Sequence, residues 1–180
     1  MQPFAQWRAV EQPIAALDEQ ILALARQDAT SQRLMAIIAS GNDPVPQGID
    51  RLPRRSIGPG VGPMLATALV AAIGASAAGF QNGRSLAAWL GLIPRQHSTG
   101  GKARLLGVAR HGNRYLRRLL VHAARSLKRV ALGRDDRLGH WLQGLEARAH
   151  ANVVSVALAA KLARFCWAVM AHNESYRAPA

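Results

Sequence analysis

The chain has 180 residues, 49% of them apolar, with one cysteine and a formal charge of +13 from 23 Lys+Arg against 10 Asp+Glu. That length holds one domain with a sizeable core, or a domain with an appended arm, and the single cysteine excludes an internal disulfide and fits a reducing compartment. The six histidines follow no zinc-finger spacing, the first residues form no signal peptide, and no Asp or Glu occurs between Asp50 and Asp135, so the charge is local and calls for a polyanion, nucleic acid first.

Val10, Ile14, Leu17, Ile21 and Leu24 alternate steps of four and three, one seam of a helix that leaves Asp18, Glu19 and Arg26 outside. Pro13 fits such a helix if it begins nearby, and the seam allows either packing on the domain or pairing with a second copy. A helical arm is thus expected over residues 1–39, with Leu34 to Ile38 extending or following the helix. Residues 40–56 carry three prolines and two glycines without periodicity and read as a loop or insertion.

The main domain is expected over 57–172, with a frayed tail at 173–180. It opens on Gly60-Val61-Gly62-Pro63, a glycine turn leading into an apolar helix. Glycines allow the tight turn, proline suits the first helical position, and unpaired NH groups there meet phosphate. The turn resembles that of helix-hairpin-helix DNA-binding modules, which makes Gly60 and Gly62 candidate phosphate contacts.

Phe80 reads as an anchor in a loop of small residues, and Arg84 to Leu90 as a short helix that Gly91 caps in the left-handed conformation. Pro94 to Lys102 reads as a loop rather than a helix, and it is rich in phosphate-binding residue types. A nucleotide P-loop is excluded, because the first glycine position is Gln96 and Ala103 follows Lys102. A hydrolase triad of Ser98 with His97 or His111 lacks an acidic residue to orient the histidine. What remains is Ser98 either binding phosphate or attacking it, among Arg95, Lys102, Arg104 and Arg110.

Asn113 caps the best-patterned helix, expected to run to about Ala131. At about 100° per residue, Arg114, Arg117, Arg118, Arg125, Lys128 and Arg129 share an arc of about 120°, opposite Leu116, Leu120 and Leu127. Like charges four apart repel, so a face of one sign implies an anionic partner. After a polar break at Gly133 to Gly139 comes a short helix with Trp141, Leu142 and Leu145. The run from Asn152 to about His172 is apolar almost all round, and Lys161 and Arg164 near its centre favour a buried core helix over a membrane span. Cys166 within it reads as a small core residue. No alternating strand pattern stands out, so the expected fold is all-α.

Three segments together resemble the C-terminal transposase domain of the IS110 family of bacterial insertion sequences. They are Gly60 to Gly74, Leu86 to Lys102 (Leu-Ala-Ala-Trp-Leu-Gly-Leu-Ile-Pro-Arg-Gln-His-Ser-Thr-Gly-Gly-Lys), and Gly112-Asn-Arg-Tyr-Leu-Arg-Arg-Leu-Leu with its continuation to Arg125. Asn152 to Ala168 is similar to that family's closing helix. The resemblance implies a cytoplasmic DNA transposase in which Ser98 attacks a DNA phosphodiester, with Thr99 supporting. Arg95, Lys102, Arg104 and Arg110 would hold the scissile phosphate, and Asn113, Arg114, Arg117, Arg118 and Arg125 would lie along neighbouring ones. It also implies a structured guide RNA as a second partner and a homo-oligomer through the N-terminal helix.

The family further implies an N-terminal acidic domain that binds magnesium. Glu11, Asp18, Glu19 and Asp28 do not resemble its acidic set, so no cofactor is expected in this chain. The segment Ile38 to Pro59 is a second departure, reading as an inserted loop or a frameshift scar. Both departures suggest a truncated or degenerate copy that binds nucleic acid without recombining it. The alternative in a different class is a non-catalytic nucleic-acid-binding module of helix-hairpin-helix type.

Overall fold

The computed structural model describes residues 3–37, 60–99, 102–109 and 111–176. Among these, seven helices surround one core, so the domain is all-α as its sequence suggests, with a single two-stranded hairpin added to it. The expected insertion at 40–56 lies outside the described residues.

Helix α7 (Ala151–His172) forms the centre. It satisfies the length and apolarity of a membrane span, yet Leu158, Leu162, Ala163 and Cys166 are fully buried within the fold. Each leucine so buried contributes about 1.5–3 kcal/mol of hydrophobic stabilisation. Burial also pushes the Cys166 thiol up to about 12, which keeps it protonated and unreactive. Helices α5 (Arg114–Ala131) and α4 (Gly83–Trp89) pack along α7, and α2 (Ala29–Met35) and α6 (Arg137–Glu146) pack more lightly against it. The α4–α7 approach is close enough that a Cβ on Gly83 would sit 3.0 Å from the Arg164 Cα. Phe80 is the anchor its sequence suggests: its ring meets Trp89 edge-on, and its carbonyl accepts a bond from Trp167 Nε1 at 3.0 Å.

Helix α3 (Pro63–Ile73) buries Leu65, Ala66 and Leu69 and packs against α1 (Pro3–Gln27), α2 and α5. Helix α1 begins well before Pro13, which lies inside it instead of near its start. A proline there forgoes one backbone bond. The α1 seam does not face the domain: Ile14, Leu17 and Leu24 are 52%, 57% and 59% exposed, while Ala25 is the buried contact. Asp28 starts α2 by accepting the Ser31 NH at 2.6 Å, and α2 then inserts Leu34 into the core, followed by Ile37 just beyond it. The C-terminal segment expected to fray keeps contact as far as Tyr176, whose ring lies 5.2 Å from that of Phe165.

Candidate nucleic-acid interface

The segment expected as a loop is a β-hairpin, which corrects the strand-free reading. Strand β1 (Pro94–Thr99) pairs antiparallel with β2 (Lys102–Val108). Ser98 stands opposite Ala103, His97 opposite Arg104, and Thr99 opposite Lys102, with a register shift between Pro94 and Gln96. Arg95 lies at that shift and is exposed. Such irregularities re-aim the residues beside them. Ser98 is therefore one residue short of the end of β1. Among the described residues the two strands contact each other and no helix, so the hairpin stands away from the helical body.

The feet of the hairpin are held tightly. Helix α4 ends with the Gly91 NH bonded to the Ala88 carbonyl and the Leu92 NH to the Ala87 carbonyl, both at 2.9 Å, around a left-handed Gly91 at φ 68°. These are the paired bonds of a Schellman stop, and Leu92 and Ala87 supply its buried apolar contact. On the return side, Ala109 NH bonds the Ile93 carbonyl at 3.0 Å. Gly112, at φ 95°, passes so near α4 that a Cβ would sit 2.0 Å from the Trp89 carbonyl oxygen.

A Cβ on Gly91 would sit 2.1 Å from the His111 carbonyl and 2.3 Å from Arg117 Nη1. That same nitrogen donates to the carbonyls of Ala109 at 3.1 Å and His111 at 2.9 Å. Arg117 thus ties the returning strand to α5. It has a structural engagement that its place in the arginine pattern did not reveal.

Asn113 Oδ1 accepts the NH groups of Tyr115 and Leu116 at 3.0 and 3.2 Å, so α5 starts where the sequence placed its cap. Leu116, Leu120, Ala124, Leu127 and Ala131 are buried. On the outer face Arg114, Arg118, Arg125 and Arg129 are exposed, and α5 contains no acidic residue. His122 lies just beyond one edge of this face, an exposed side chain that charge counting passed over. Lys128 belongs to the flank, where it pairs with Glu146, and Val121 beside it packs on the core. The cationic face is thus narrower than the sequence arc, and one edge of it is structural.

Gly60 adopts φ 128°, Val61 is buried, and Gly62 caps α3 without a side-chain bond, so the glycine turn forms as its sequence suggests. For Ser98, Thr99, Lys102 and Arg104 the register above gives the backbone position, and Arg110 lies outside the described residues. Among the described residues no three His, Cys, Asp or Glu side chains gather as metal ligands. Glu11, Asp18 and Glu19 are spread along α1, and Asp28 is engaged as a cap, its carboxyl held below the usual range by the Ser31 hydrogen bond. These residues do not fit a magnesium site.

A second cationic group, which the sequence disclosed only as charges interrupting an apolar helix, lies on the α4 and α7 side. There Lys161 Nζ sits 4.3 Å from the Trp141 ring centroid, and Arg84 and Arg164 border a cleft beside it.

Residues 56–138 match the model of the transposase IS116/IS110/IS902 family. The chain is 43% identical to a family 20 transposase of Pseudomonas aeruginosa over 170 residues, 94% of this chain and 44% of the relative. A transposase of Sinorhizobium fredii, y4pF/y4sB, is 39% identical over 173 residues, 96% of this chain and 39% of the relative. The transposase for insertion sequence element IS1111A of Coxiella burnetii is 43% identical over 119 residues, 66% of this chain and 32% of the relative. The chain spans less than half the length of these curated relatives. The three segments that carry the resemblance all lie within the matched residues 56–138, and this chain carries a transposase domain of the IS116/IS110/IS902 family.

Proposed function

We propose that this chain is the part of an insertion-sequence transposase that grips DNA and carries its serine nucleophile, Ser98. The observation that supports it most is the exposed row Arg114, Arg118, Arg125 and Arg129 on a helix that begins at the foot of the hairpin. A face of one charge sign repels itself until phosphates neutralise it. The hairpin, whose strands contact no helix among the described residues, then reaches toward the DNA held on α5. Arg95, Lys102, Arg104 and Arg110 on and beside the hairpin meet the charge on the attacked phosphate.

In the step itself the Ser98 Oγ–P bond forms and one P–O ester bond breaks. The serine proton passes to a base, and the departing deoxyribose oxygen gains one. The glycine turn before α3 adds a helix-hairpin-helix-type contact through Gly60 and Gly62, and Thr99 and Asn113 support the same surface. DNA as substrate places this work in the cytoplasm, and a structured guide RNA is the second nucleic-acid partner. The exposed Ile14, Leu17 and Leu24 row fits a second copy of α1.

Two measurements test this. In duplex binding, Arg114→Ala with Arg118→Ala lowers affinity alike across sequences and reduces the salt slope by about two. An unchanged slope rejects α5 as a phosphate contact. In covalent trapping on element DNA, with the acidic domain of a relative supplied, the protein–DNA adduct disappears in Ser98→Ala. An adduct that persists in that variant removes Ser98 as nucleophile and leaves the non-catalytic binding module as the better reading.

A further inference from the structure

A cleft of about 670 Å³ lies between α4 and α7, walled by Trp141 of α6 and running to Ile93 and Pro94, where β1 starts. It shares Asn82, Arg84 and Arg164 with an adjoining hollow of about 380 Å³. The floor is apolar: Ala87 and Leu92 are buried, Ala157 and Ala160 are half-buried, and Ile93 is 40% exposed. The rim is cationic, with Arg84 and Arg164 both exposed.

Nothing nearby balances that charge. Among the described residues, Arg84, Arg137, Lys161 and Arg164 have no carboxylate at salt-bridge distance, and no Asp or Glu lines either hollow. The cost is visible at Lys161, whose ammonium is held below its ordinary range by burial first and then by repulsion from Arg164 and Arg137. Two exposed arginines without a carboxylate partner among the described residues, set on the lining of an apolar slot, describe the complement of an anion joined to a flat apolar group.

The geometry points to this cleft as the seat of one unpaired nucleotide of the DNA strand, its base against Ala88, Ile93 and Ala157 and its phosphate between Arg84 and Arg164. The volume falls within the roughly 300–1,000 Å³ of small-molecule sites, room for a nucleotide. The cleft ends at Pro94, so a strand seated there leads directly to the hairpin that bears Ser98. The inference rests on the reading of the chain as the DNA-gripping part of a transposase.

The test is fluorescence anisotropy with labelled decathymidylate, the same strand made abasic, decauridylate and a blunt duplex. Wild-type protein binds decathymidylate about tenfold more tightly than the abasic strand, as base stacking requires. Arg84→Ala with Arg164→Ala, and separately Ala157→Leu to fill the slot, weaken decathymidylate about tenfold and leave duplex binding nearly unchanged.

Equal affinity for thymidylate and abasic strands overturns the inference without any variant. So does a slot-filled protein that keeps wild-type affinity, or an arginine variant that loses duplex and single strand alike. Uridylate binding as well as thymidylate overturns the choice of DNA. Loss of duplex binding on replacing Arg114 and Arg118 is a separate result, so failure of the cleft and failure of the α5 reading are distinguishable.

Discussion

At the scale of single residues, Gly91, Gly112 and Arg117 close the base of the hairpin together. Gly91 is left-handed, and a side chain there would run into the His111 carbonyl, which is backbone and cannot swing away. Gly91→Ala is therefore expected to cost at least about 2 kcal/mol, combining left-handed strain with a forced backbone shift. Urea unfolding checks this, with the midpoint falling and the slope unchanged. A loss below half that size would mean the clamp yields easily. Arg117 carries a lesson about legibility: its helical angle groups it with the phosphate-facing arginines, but the carbonyls of Ala109 and His111 come from a return strand that periodicity along α5 cannot see. Lys128 was misplaced for the same reason, since its partner Glu146 sits on another helix.

At the scale of elements, α5 was the most legible because three independent signals agree on it: an Asn cap, a leucine face and an arginine face. Asn113→Ala leaves the Tyr115 and Leu116 NH groups without their acceptor and is expected to cost about 1 kcal/mol. Thermal unfolding reads it, and Asn113→Asp should restore most of the stability; no rescue by Asp would argue against capping as the cause. The hairpin was not legible as strands. A strand shows alternation when one face is buried, and these two strands contact no helix among the described residues, so Arg95 to Thr99 carries no period of two. The α1 seam was legible as a helix face while its direction stayed open, because periodicity identifies an apolar face without saying what covers it.

At the scale of the whole molecule, acidic residues are few, and two of them are spent as helix caps. Burial alone would raise the Asp136 carboxyl, yet the Gly139 NH and then Arg134 outweigh it, so Asp136 lies below 3.8. Asp28 lies below 3.8 as well, chiefly through Ser31. A carboxyl depressed in the folded state adds stability that is complete above its unfolded value and is lost as pH falls through the folded one. Stability should therefore hold near neutrality and decline in acid, as pH falls through the depressed range of these two carboxyls. Asp28→Asn with Asp136→Asn keeps a capping oxygen at both positions but removes both charges and the Arg134 pair, so it should shallow that decline, mainly by lowering stability at neutral pH. Melting temperatures across the acid range measure it, and an equally steep decline in the double variant would place the acid sensitivity elsewhere.

The meeting of the hairpin's two feet reaches beyond stability. Because the chain leaves the helical body at Gly91 and re-enters it at Gly112 against the same stretch of backbone, the body is already closed beneath the hairpin. What lies between these two glycines is therefore a cassette: the helices of the body and the strands of the hairpin can diverge separately. One hairpin can be exchanged for another without rebuilding the core that carries it.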